Sequence, residues 1–112
     1  MDKRKELKAK YKDYKPDMGV YIFECIPSNK KYIGYTNDTK GTINSKLFQL
    51  QSGLLRNKQL QKDWNDYGED NFSVKVLEYL KYDEDESKTD YSDELEILCE
   101  IWKDKLDNVE VL

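Results

Sequence analysis

The sequence predicts an α+β domain: a small three-stranded antiparallel sheet flanked by helices. Three observations predict it. Residues 19–36, GVYIFECIPSNKKYIGYT, set two apolar runs on either side of a polar turn. Apolar side chains then recur at helical spacing from Ile43 to Trp64. Residues 71–80, NFSVKVLEYL, return to period-two alternation before one more helical stretch. A hairpin and a third strand separated by helices make a sheet that needs helices to cover it.

Each element has its own warrant. Residues 2–15 are rich in Lys and Glu, with Leu7, Tyr11 and Tyr14 spaced for one helix face. Pro16 and Gly19 end that segment. It forms an N-terminal helical extension, residues 1–17, ahead of the main domain, residues 18–112. In the first strand Val20, Ile22 and Ile26 alternate with Tyr21, Phe23 and Cys25, so both faces are apolar and both should be buried. The turn PSNKK follows, with φ set by Pro27 and side-chain bonds from Ser28 and Asn29. Lys31–Tyr35 is the return strand. Ile43, Leu47, Leu50 and Leu54 mark a helix that starts after Gly41 and is interrupted near its end by Gly53. Asn57 caps a second helix with Leu60 and Trp64 inward, and Gly68 ends it in a left-handed cap. Phe72, Val74 and Val76 point inward from the third strand. After the acidic connection KYDEDESKTDYSD, a last helix runs from about Ser92 to Leu106. Asp90 or Ser92 caps it, and Leu95, Leu98, Cys99, Trp102 and Leu106 share one face.

Composition narrows the function. The 112 residues make one domain. No apolar run approaches the roughly 20 residues that span a bilayer, and the charged start MDKRKELKAK is not a secretory signal. Cys25 and Cys99 lie in apolar surroundings and read as buried thiols, which fits a cytoplasmic setting. The chain has no histidine. The common general base and every Cys/His zinc pattern are therefore excluded. A metal would need oxygen ligands, as magnesium, manganese and calcium do. Charge is uneven. Residues 1–82 hold 16 basic and 11 acidic side chains, and residues 83–112 hold 3 and 12. The body can face phosphate while the acidic end cannot.

GVY at Gly19, Val20 and Tyr21, YIG at Tyr32, Ile33 and Gly34, and NKQLQKDWNDYGEDNF at 57–72 together resemble the GIY-YIG nuclease family. The likeness covers about residues 18–106. It implies a compact nuclease fold acting on DNA phosphodiesters as a hydrolase. It further implies one divalent metal, Mg2+ or Mn2+, held by a glutamate of the last helix, and an arginine on the first helix after the hairpin. The two strand tyrosines, Tyr21 and Tyr32, would stand at the phosphate. Such chemistry calls for a cation and a metal against a charge-rich transition state. It also calls for a base to take a proton from water.

The correspondence is partial. Thr42 stands at the arginine position and Lys46 at that of a frequent histidine. Lys40 or Lys46 can supply charge but not a guanidinium fork. Lys46 joins Tyr21 and Tyr32 in the candidate catalytic set. Cys99 stands at the glutamate position, and Glu96 or Glu100 are the candidate metal ligands nearby. Two readings follow. In the first, the chain is a catalytically degenerate member that binds nucleic acid or protein. In the second, it is an active metal-dependent endonuclease with relocated groups. A self-associating protein acting through its charged ends is a third possibility.

Overall fold

A computed structural model describes residues 15–112; the predicted N-terminal helix falls almost wholly outside them. Strands β1 (Met18–Cys25) and β2 (Lys30–Thr36) form the predicted hairpin. Gly19 pairs with Thr36 at its open end and Cys25 with Lys30 at its closed end. Asn29 takes a positive φ of 55° in the turn, a conformation that Asn tolerates well. Ile26 lies beyond the strand and is exposed, not inward.

Helix α1 spans Thr39–Ser52 and begins earlier than its sequence predicts. Asp38 is the reason: its carboxylate accepts from the Gly41 amide and caps the first turn, satisfying a donor that the helix itself leaves free. Gly41 is thus inside the helix, where a Cβ would press on the Asp38 carboxylate. Gly53 closes α1 in the left-handed conformation at φ 74°. Leu54 falls past this cap and is exposed, so it leaves the helical series. Helix α2, Lys58–Tyr67, starts at Asn57, whose side chain accepts from the Leu60 amide. Gly68 follows at φ 84° and ψ 159°, an extended mirror conformation rather than the expected left-handed helical one.

A short 3-10 turn, Glu69–Asn71, leads into β3, Phe72–Leu80. Helix α3 spans Ser92–Lys105. Its N-cap is Tyr91, and neither Asp90 nor Ser92 fills that place. Asp90 instead closes a local turn by accepting from the amide and hydroxyl of Ser92. A fourth strand, β4 at Val109–Val111, runs parallel to β2. The sheet therefore has four strands in the order β3-β1-β2-β4 and is not wholly antiparallel. Asn108, at φ 54°, turns the chain into β4, and the Leu112 amide locks it to the Ile33 carbonyl at 2.7 Å.

The order places β1 in the interior of the sheet, which explains its apolar faces. Tyr21, Phe23 and Tyr32 meet Leu50 of α1, Leu55, and Leu60 and Trp64 of α2. On the other face Val20, Ile22 and Ile33 meet Cys99, Leu98 and Trp102 of α3. A bulge shifts the β1–β3 register between Val20 and Tyr21: Val20 faces Glu78 but Tyr21 faces Val76. The extra residue is Leu77. Bulges tilt neighbouring side chains toward one face. Leu77 accordingly packs in the α3 core, and Glu78 accepts from the Trp102 indole at 2.9 Å.

Candidate functional site

Hairpin register builds the centre of the site. Tyr21 pairs with Gly34 and Phe23 with Tyr32, so the two tyrosines share a sheet face and stand diagonally, two residue pairs apart. Diagonal same-face neighbours on paired strands lie about 7–8 Å apart, within reach of aromatic side chains. The glycines follow from this crowding. The Tyr21 ring lies across Gly34, where a Cβ would sit 2.6 Å from its Cζ. At Gly19 a Cβ would strike the Glu78 carbonyl oxygen and approach the Tyr79 Cα at 3.0 Å. Val20 and Ile33 point the other way, into the α3 core.

Both phenols are buried: Tyr21 is 3% exposed and Tyr32 0%. The Tyr32 hydroxyl donates to Asp63 of α2 at 2.5 Å. Asp63 is itself buried and also accepts from the Gln59 amide at 3.4 Å. Burial pushes both phenols far above their usual range. For Tyr32 the bond to the Asp63 carboxylate adds to it, and for Tyr21 the charge that Cys99 carries once ionised does. Near neutral pH each phenol keeps its proton. Asp63 was not predicted as a site residue. Its signal was available, since it stands three residues after Leu60 and beside Trp64, on the stripe that α2 buries.

The remaining predicted residues are placed as follows. Thr42, one turn into α1, is half-buried with its hydroxyl oxygen 2.7 Å from that of Thr36. Lys40 is exposed. Lys46 lines a cleft with Arg56, Gln49 and Leu112. Among the described residues Lys30 lies against a site tyrosine, its Nζ 5.5 Å from the Tyr32 ring centroid. Cys99 is 2% exposed among Val20, Ile22 and Ile33. Glu96 and Glu100 are exposed on α3.

The Cys99 side chain does not fit a magnesium or manganese ion. Such cations require oxygen ligands. The residue at the corresponding position is a free thiol enclosed by aliphatic side chains, and burial pushes its pKa up, keeping it neutral. Among the described residues no three His, Cys, Asp or Glu side chains come close enough to hold a metal ion.

A mixed sheet with two helices on one face and one on the other, and a tyrosine pair on the inner hairpin, defines a nuclease-type α+β domain. The GIY-YIG catalytic domain model matches residues 17–105, and the chain belongs to that family. Two solved structures share its fold. The catalytic domain of homing endonuclease I-TevI is 21% identical with a TM-score of 0.68, over 85% of this chain and 97% of that one. A mutant of the catalytic domain of intron endonuclease I-TevI is 22% identical with a TM-score of 0.64, over 80% of this chain and 84% of that one. No curated protein matches the chain.

Proposed function

We propose that this chain is a GIY-YIG domain that binds nucleic acid without cutting it. The observation that carries this reading is the buried bond from Tyr32 to Asp63. A phenol that serves as a base must be able to give up its proton and reach solvent. Tyr32 does neither, because its proton is held between two buried oxygens. The other two key positions support the same reading. Thr42 offers a hydroxyl already engaged by Thr36 where a phosphate clamp would stand, and Cys99 offers a packed thiol where a metal ligand would stand. Nucleic acid is favoured over a protein partner by the family's chemistry and by the basic excess of residues 1–82.

The test is titration of labelled branched and single-stranded DNA at increasing salt. Binding that weakens steeply with salt is expected. Affinity indifferent to salt, or no binding, would refute the nucleic-acid reading. One observation favours the alternative of an active endonuclease: Tyr21 still lies over Gly34, and its ring has no carboxylate partner among the hydrogen bonds of the described residues.

A further inference from the structure

We infer that the cleft holding Lys46 and Arg56 binds the phosphate backbone of a single nucleic-acid strand. This deepens the proposed function and rests on it. The cleft has a volume of about 640 Å³. It lies between the second half of α1, the loop into α2, and Leu112 after β4. Lys46, Gln49, Leu54, Arg56, Asn57 and Leu112 face it.

Three features point to a phosphodiester. First, the cleft joins two cations in a chain of net charge −4, and no Asp or Glu side chain lines it. Six of the other eleven described cations already have a partner. Lys62 pairs with Asp66 and Lys88 with Glu94. Lys31 donates to the Asp107 carbonyl, and Lys15, Lys30 and Lys105 cover aromatic rings. Among the described residues neither Lys46 nor Arg56 forms a salt bridge. Second, the donors suit phosphate oxygens. A guanidinium offers a planar fork and an ammonium a compact charge. Asn57 spends its side-chain oxygen on the Leu60 amide, which leaves its NH2 group as a donor. Third, Leu54 at the rim is 73% exposed, an apolar surface for the sugar or base next to the phosphate. An unpaired base can lie on such a surface, whereas a base within a duplex cannot.

Placement completes the argument. Thr42 and Lys46 are one turn apart on α1. The positive charge that the family likeness assigns to Thr42 stands one turn later, joined by an arginine from the following loop.

The experiment measures fluorescence anisotropy of a labelled oligothymidine, and of a duplex, at low and physiological salt. The proteins are wild type, Lys46→Gln/Arg56→Gln and Lys62→Gln, each checked for folding by its melting curve. The double variant should lose about tenfold or more in single-strand affinity. Its slope of log affinity against log salt should fall by roughly 1.4, since each phosphate contact on a single strand contributes about 0.7. Lys62→Gln should match wild type. A folded double variant that keeps wild-type affinity and slope overturns the assignment of this cleft. Preference of wild type for duplex over single strand overturns the single-strand assignment. A wild type that binds neither probe refutes the proposed function itself, a failure distinct from the other two.

Discussion

On the face covered by α1 and α2, the sheet buries three aromatic rings beside a carboxylate and an amide; on the face covered by α3, it buries aliphatic side chains and a thiol. The first face tolerates polarity because its buried carboxylate and amide are answered. Asp63 receives the Tyr32 proton. Gln61 accepts from the Leu55 amide and donates to the Leu50 carbonyl, joining the end of α1 to α2. Among the described residues no buried polar side-chain atom lacks a partner. The second face surrounds position 99 with apolar side chains. A thiol suits that enclosure and a carboxylate does not, since an unpaired buried charge costs several kcal/mol. One face therefore keeps a buried carboxylate and amide in a network, while the other encloses a thiol among aliphatic side chains.

The hardest test of this contrast is Cys99→Glu. Lys103 acts on this position from one turn along α3 but is itself exposed, so a carboxylate enclosed by aliphatic side chains should lower stability, measured by chemical denaturation, by about 3–5 kcal/mol. A variant within about 0.5 kcal/mol of wild type would show that α3 leaves this position a route to solvent, and the contrast would break. Tyr32→Phe probes the opposite face. It leaves Asp63 buried without its main donor and should cost about 1.5–3 kcal/mol, the range for a hydrogen bond to a charged group. Tyr32→Phe combined with Asp63→Leu should recover part of that loss, giving a clear coupling in a double-mutant cycle. Simple addition of the two effects would show that the pair contributes nothing beyond packing. Gly34→Ala should cost about 1–2 kcal/mol, because the added methyl displaces the Tyr21 ring from the strand.

pH sharpens the same contrast with a smaller effect. Both phenols are raised on folding, so the native state favours their neutral form. That stabilisation is complete below the ordinary phenol value of about 10. It is lost as pH rises from there toward the folded-state values. The melting temperature should decline in this alkaline window, and less steeply in Tyr32→Phe. Equal slopes for the two proteins would mean that Tyr32 is not held neutral by its surroundings.

The hairpin, the apolar faces of β1, the Asn57 cap and the inward stripe of α2 were legible because each is coded by adjacent residues. What escaped is coded by distant ones. β4 is three residues long and pairs with a strand more than seventy positions earlier, so neither length nor a local turn announces it. The start of α1 was misplaced because Gly41 looks like a helix breaker until Asp38 reaches its amide. The Leu77 bulge depends on the register of two strands. Asp63 sat within a predicted helix, but its role depends on Tyr32, thirty-one residues away. The hairpin positions of the tyrosines and glycines could thus be read from sequence, whereas Asp63 could be placed on the buried stripe of α2 but not joined to Tyr32.

The central claim is that the fold persists while its catalytic positions serve packing. Nicking of supercoiled DNA in the presence of Mg2+ or Mn2+ tests it most directly. The account predicts no cleavage above a metal-free blank for wild type, Tyr21→Phe and Tyr32→Phe alike. Metal-dependent nicking by wild type that either phenylalanine variant abolishes would contradict it.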